Sequence, residues 1–313
     1  MTNQSVESMM VLTNKSIKKV GGVMSAVIEI KNLSKSYKEF KAVDNISLDI
    51  QSGEIFGFIG PNGAGKSTTI KMLLNFIFPT SGSATILGLD CVTESLAIKK
   101  QVGYVSSDVR YYHNMTSLDI FKYTASFHGI KNKQEVIDEY VNYFEIEPNK
   151  KIADLSLGNK KKVAIVSALL QNPKLLILDE PTNGLDPMIQ YRLFEVLEKK
   201  SKEGMTIFLS SHDLHEIQAH CDQAAFIKNG KIIAIEEINK GKELEKKVIV
   251  CTNNLLETEL EVIGATNIDM KDEQISFIYQ GEMDTLIKLL SSKNITDLEI
   301  KPLDIEDKFL SMY

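Results

Sequence analysis

The chain has 313 residues, 43% hydrophobic and 25% charged, with a formal net charge of −6 and a pI near 5.5. That composition is ordinary for a globular protein, the length suits one large domain plus a smaller one, and the acidity gives no electrostatic reason to expect nucleic acid as a partner. No run approaches about 18 uninterrupted apolar residues, so no segment reads as a membrane span. Cys91, Cys221 and Cys251 are widely spaced without a CxxC pair, which points to a reducing compartment and no metal cluster.

Residues 1–25 hold no sustained apolar segment and no export cleavage pattern, and read as a flexible extension; Met24 is a candidate start, because ordered patterning begins just after it. Residues 27–33 and 45–50 alternate as half-buried strands do. The apolar, glycine-bounded stretch 53–60 reads as a strand running into "PNGAGKSTT", after which helical patterning continues through "IKMLLNFIF" until Pro79 and Gly82 close it. Residues 117–145 read as two helices broken at "HGIKNK". From 159 to 210 the order is helix, buried strand, helix, strand, the rhythm of a parallel α/β sheet. After "NGKIIAI" (229–235), lysine and glutamate crowd "EEINKGKELEKK", a linker or exposed helix. Beyond it come a strand (247–251), a helix (254–263), strands at 266–270 and 274–279, a helix (282–292) and a strand (295–300). That βαββαβ order fits a small ferredoxin-like module.

"GPNGAGKS" (60–67) matches the phosphate-loop pattern with a strand before it and a helix after it. Gly60, Gly63 and Gly65 let the backbone of Gly60, Pro61, Asn62, Gly63, Ala64 and Gly65 turn tightly and aim amide hydrogens at a phosphate. The helix starting near Lys66 adds free N–H groups and a partial positive charge. Lys66 is placed to reach the β and γ phosphates, and the Ser67 hydroxyl to meet magnesium, with Thr68 in the same turn. "LLILDEP" (175–181) reads as a strand buried on both faces, whose carboxyl end delivers Asp179 and Glu180 to the ligand-binding edge of an open sheet. Asp179 is the expected magnesium residue and Glu180 the expected general base for an attacking water.

Taken together, "SYKEFKAV" (36–43), "GPNGAGKST" (60–68), "VGYVSSD" (102–108), "LSLGNKKKV" (155–163), "LLILDEPTNGLD" (175–186) and "LSSHDLHE" (209–216) closely resemble, in the same order, the motifs of ATP-binding-cassette (ABC) transporter subunits. The resemblance spans about residues 27–235. It implies an α/β phosphate-loop NTPase fold, with a mixed sheet and a helical subdomain near 108–172 inside a cassette of residues 26–236, followed by an accessory α+β domain at 237–313.

The resemblance also implies that ATP and Mg²⁺ are the ligands, and that two copies, or this chain and another cassette subunit, close head to tail. Ser156 and Gly158 then belong to the signature motif that grips the γ-phosphate of ATP on the opposite subunit, although Leu157 and Asn159 depart from its usual residues. Ser156 has N-cap chemistry for the helix that follows. Three lysines in that first turn oppose the helix dipole, which a bound anion relieves; a solvated lysine face is the ordinary alternative.

By the same resemblance, Tyr37 stacks on adenine with Val43 on the same face, Asp186 couples the two sites across the dimer, and His212 contacts the γ-phosphate. The glutamine usual after "GYV" is absent. Ser106 and Ser107 stand there, followed by Asp108, so Asp108 substitutes, or magnesium keeps an extra water, or turnover is slow. "IKPLDIEDKFLSMY" (300–313) resembles the ending of single-cassette exporters whose permease is a separate chain. The expectation is a peripheral ATPase on the cytoplasmic face of the membrane, powering a multi-spanning permease in export. A soluble cassette ATPase acting on ribosomes or DNA, and a regulatory subunit that hardly turns over, are the alternatives.

Overall fold

The computed structural model describes residues 26–111, 114–238 and 246–302. The expected N-terminal extension, most of the lysine- and glutamate-rich linker and the C-terminal ending lie outside the described residues.

A hairpin opens the fold. β1 (Ile28–Tyr37) and β2 (Phe40–Ile50) pair antiparallel, with Tyr37 opposite Phe40 across a turn in which Lys38 takes a positive φ. β3 (Ile55–Ile59) leads through the phosphate loop into α1 (Lys66–Leu73). β4 (Ser81–Ile86) and β5 (Leu89–Asp90) then complete a four-stranded antiparallel sheet in the order β2-β1-β4-β5. β4 carries no apolar alternation to announce it, since its first three residues are polar or glycine and exposed.

α1 stops short of the expected Pro79. Asn75 adopts φ 53°, the Asn75 amide donates to the Met72 carbonyl and the Phe76 amide to the Lys71 carbonyl. These paired reverse bonds around a left-handed residue form a Schellman closure. Asparagine tolerates that conformation, so it ends the helix inside an apolar run that reads as continuous.

α2 (Ser95–Lys99) and β6 (Val102–Val105) follow, then α3 (Ser117–Phe127) and α4 (Lys133–Tyr143), with the break where the sequence places it. Thr116 and Asp119 form a reciprocal capping box at the start of α3. Next come α5 (Leu157–Leu170), β7 (Leu175–Asp179), α6 (Pro187–Lys202), β8 (Thr206–Ser211), α7 (Leu214–His220), β9 (Gln223–Lys228) and β10 (Lys231–Glu237).

The second sheet has the order β10-β9-β3-β8-β7-β6; all its pairs are parallel except the β10–β9 edge. Every residue of β3, β7 and β8 is buried. Their side chains alternate between two cores. Ile55, Leu176, Leu178, Ile207 and Leu209 face one with α3, α5 and α6, whereas Phe56, Phe58, Leu175, Ile177 and Phe208 face another with α1 and the antiparallel sheet. A strand buried on both faces has no polar alternation, which is why "LLILD" reads as an unbroken apolar run. Truncating one of these leucines to alanine is expected to cost about 2–5 kcal/mol.

β11 (Lys246–Cys251), α8 (Glu257–Val262), β12 (Thr266–Lys271), β13 (Gln274–Tyr279), α9 (Met283–Ser291) and β14 (Asp297–Pro302) form an antiparallel sheet in the order β12-β13-β11-β14. Val248, Val250, Leu260, Phe277, Leu286 and Leu290 belong to a third core of its own.

Candidate functional site

The parallel strands β3, β7 and β8 all end at one edge of the second sheet, and the loops leaving that edge carry the chemistry. The phosphate loop comes first. Gly65 has φ 113°, and a Cβ there would lie 2.6 Å from the Ala42 carbonyl oxygen; a Cβ on Gly60 would lie 2.2 Å from that of Ile227. Only glycine fits either position. Gly65 is also the N-cap of α1 and offers no side-chain acceptor, so the first-turn amides remain available to an anion.

Lys66 is buried, and its ammonium donates to the carbonyls of Gly60 (2.6 Å) and Pro61 (3.2 Å) and pairs with Glu180 Oε1 at 3.2 Å. A cavity of about 300 Å³ covers the loop. Its walls are Tyr37, Phe40, Ala42, residues 62–68 and Glu180. Tyr37 and Phe40 are both exposed at the hairpin tip, two rings able to flank a base. Val43 is fully buried beneath Gly65, so the wall expected of Val43 is supplied by Ala42 and Phe40.

Asp179 ends β7. Its Oδ1 accepts a 3.2 Å bond from the Ser67 hydroxyl and a 2.6 Å bond from the Ser210 hydroxyl. A hydroxyl and a carboxylate oxygen side by side are hard donors of the kind magnesium takes beside phosphates and water. Ser67 and Asp179 are therefore the residues that fit the ion. Glu180 follows at φ 48°, a left-handed backbone uncommon outside glycine, with its amide bonded to Ser210. Its carboxylate meets Lys66, the Asn183 side-chain amide and, at 3.4 Å, His212 Nδ1. Burial pushes this carboxyl up, but the bonds and charge of Lys66, the Asn183 bond and the His212 charge together hold it below its ordinary value. It is a carboxylate at neutral pH, as a base must be.

Ser156 caps α5, accepting from the Asn159 amide at 3.3 Å, and stands exposed at the helix N-terminus. Gly158 is packed so closely that a Cβ would lie 2.3 Å from the carbonyl oxygen of Gly184, in the loop holding Asp186. Asp186 caps α6 by accepting from the Ile189 amide at 3.1 Å. The lysines behind Ser156 do not form a solvated face. Lys161 and Lys162 are buried, and their ammoniums donate to main-chain carbonyls. Asp108 turns to the surface, where Arg110 binds it at 2.7 Å.

The structure thus gathers Lys66, Ser67, Asp179, Glu180 and His212 into one cluster and sets Tyr37 across the cavity. It leaves Ser156 and Asp186 on exposed helix starts. Ser210, Asn183, Phe40 and Lys161 join the site without having been singled out from sequence. Ser210 did carry a signal, as a hydroxyl inside an all-buried strand end needs a partner.

The sequence matches the ABC transporter family over residues 43–183. The chain is 34% identical, over 92% of its length and 97% of the relative's, to YcbN, an uncharacterized ABC transporter ATP-binding protein of Bacillus subtilis. It is 33% identical, over 92% of its length and 98% of the relative's, to the bacitracin transport ATP-binding protein BcrA of Bacillus licheniformis. Among solved structures, a dimeric ATP-binding cassette in a post-hydrolysis state with ADP and Pi aligns with TM-score 0.63 and 25% identity, covering 68% of this chain and 99% of that one. With the phosphate loop and the carboxylate pair set on this sheet, the chain belongs to the ATP-binding proteins of ABC transporters.

Proposed function

We propose that the chain is the ATP-hydrolysing motor of an exporter whose permease is a separate multi-spanning protein, and that it works as a head-to-tail dimer of two cassettes. The observation that carries this reading is the cluster of Lys66, Glu180 and His212 beside Ser67 and Asp179. Relatives named for bacitracin and lantibiotic transport support the export assignment. Among the described residues no helix is long and apolar enough to cross a membrane.

The first-turn amides of α1 and the Lys66 ammonium bind the β and γ phosphates, while Tyr37 and Phe40 hold the base. An arriving γ-phosphate takes Lys66 from Glu180. The freed carboxylate then accepts the proton of the attacking water, and His212, beside Glu180, donates to the γ-phosphate. Ser67 and Asp179 would hold magnesium, which when bound would supply positive charge against the phosphate oxygens. Ser156 and the N-terminus of α5 complete the site of the opposite subunit. Residues 246–302 form an accessory domain beside the 26–238 cassette.

Glu180→Gln tests this. Turnover is expected to fall by about 100-fold or more, the scale of a lost general base, with ATP binding kept and an ATP-stabilised dimer appearing in size-exclusion chromatography. A wild-type protein that binds ATP with no turnover, and a substitution without effect, would instead favour the weakly hydrolysing regulatory reading, which the surface pairing of Asp108 with Arg110 keeps in play.

A further inference from the structure

Lys161 has no role in the scheme above. It lies one turn into α5 and is 1% exposed. Its ammonium donates to the carbonyls of Ser106 (3.2 Å), Ser107 (3.3 Å) and Glu180 (3.1 Å). A lysine ammonium has three donors, and here all three are used. The acceptors come from two segments remote in sequence: the loop after β6, where the family's glutamine is missing, and the peptide of the proposed base.

Burying an ammonium against neutral carbonyls is an expensive way to fill space, since the charge is desolvated without an opposite charge in contact. Burial indeed lowers the pKa of Lys161, against the raising effects of Asp179, Glu180 and Asp108. Lys162, the next residue, serves as a control within the same turn. It too is buried, yet its ammonium binds the Glu145 carbonyl at 3.1 Å, in the helical subdomain away from the nucleotide. One lysine therefore ties α5 to the turn that follows α4, and the other ties it to the site.

We propose that Lys161 is a positioning residue for hydrolysis: its ammonium locks the Glu180 peptide and the 106–107 loop to the helix whose first residue is preceded by Ser156. The carboxylate of one site and the signature serine offered to the other then move as one unit. Glu180 is held in its left-handed backbone from two sides, by Ser210 at its amide and by Lys161 at its carbonyl. With serines at 106 and 107, the link between that loop and the site runs through main-chain carbonyls and Lys161.

This rests on the hydrolysis reading, so the test measures wild-type turnover in the same series. The full-length wild type and the Lys161→Met, Lys161→Gln and Lys162→Met variants are compared by steady-state ATPase rate against ATP concentration, by equilibrium binding of a fluorescent ATP analogue, and by thermal melting. Lys161→Met is expected to lower kcat at least about 10-fold with nucleotide affinity within about 3-fold, as a displaced base does. Lys161→Gln, which keeps two donors, recovers part of the rate. Lys162→Met lowers the melting temperature with kcat within about 3-fold of wild type. Wild-type kcat in Lys161→Met, or an equal loss of kcat in Lys162→Met, overturns the proposal and leaves both lysines as fold tethers. A wild-type chain that binds nucleotide without turning it over overturns the hydrolysis reading instead, and the proposal with it. If Lys161→Met does not fold, Lys161→Gln carries the test: wild-type kcat there refutes the proposal, and a lowered kcat with retained binding supports it.

Discussion

Glu180 and Glu216 show how position alone gives two carboxylates opposite tasks. Glu180 sits among Lys66, Asn183 and His212 and is held ionised. Glu216, on α7 a few residues from His212, is mostly buried, and burial pushes its carboxyl up against the lowering bonds of Ser211 and Thr182; Oε2 has no hydrogen-bond partner among the described residues. A raised folded-state pKa means the folded protein holds that proton more tightly than the unfolded chain does. Glu216 therefore adds stability below the ordinary glutamate range, and this is lost as pH rises through its raised value. Glu216→Gln, neutral at every pH, should melt a few degrees above wild type at pH 7.5, with the gap closing by about pH 4. A gap that persists unchanged in acid would show that the effect is packing rather than charge.

At the scale of elements, helix starts do double duty. Asp186 caps α6 with Pro187 following at the first helical position, and the same carboxylate is the one expected to couple two sites across a dimer. The roles separate because asparagine caps as well as aspartate does. Asp186→Ala should cost about 1 kcal/mol of stability, read by denaturant unfolding. Asp186→Asn should unfold like wild type and yet lower the cooperativity of ATP turnover. If Asp186→Asn keeps both, the residue is a cap and nothing more. The close approach of Gly158 to the Gly184 carbonyl belongs to this scale too, for it seats the start of α5 against the loop leading to Asp186.

At the scale of the molecule, two faces of one sheet bury separate cores, and the C-terminal sheet buries a third. No side chain from 246–302 is in the nucleotide cluster or its cavity. A fragment of residues 26–245 is therefore expected to fold and to turn over ATP within about 3-fold of the full chain, while permease coupling or dimer stability carries any loss. An insoluble fragment, or one inert toward ATP, would show that the modules depend on each other for folding.

How much of this was legible beforehand depended on the range of the interaction. The phosphate loop was, because its geometry is local: glycines where a Cβ has no room, then a helix start with free amides. The strands "GFI" and "LLILD" were legible too, since burial on both faces leaves an unbroken apolar run. The helix break before Lys133 was marked by Gly129 and a polar stretch. Less legible was the end of α1, where Asn75 turned the chain inside a run of apolar residues. Val43 resembled a wall residue and proved to be core, because the face a strand residue takes is set by pairing, and register shifts interrupt the β1–β2 ladder.

The lysines of α5 mark the limit most clearly. Sequence alone determined that a helix capped by Ser156 carries three successive lysines, Lys160 to Lys162, within its first two turns. It did not determine that two of them turn inward, because their acceptors are the carbonyls of residues 106, 107, 145 and 180, brought within reach only when the sheet and the subdomain have packed. Short-range steric demands and hydrophobic period are written in neighbouring residues. The partner of a long, flexible, charged side chain is decided by which distant backbone lies within its roughly 6 Å reach.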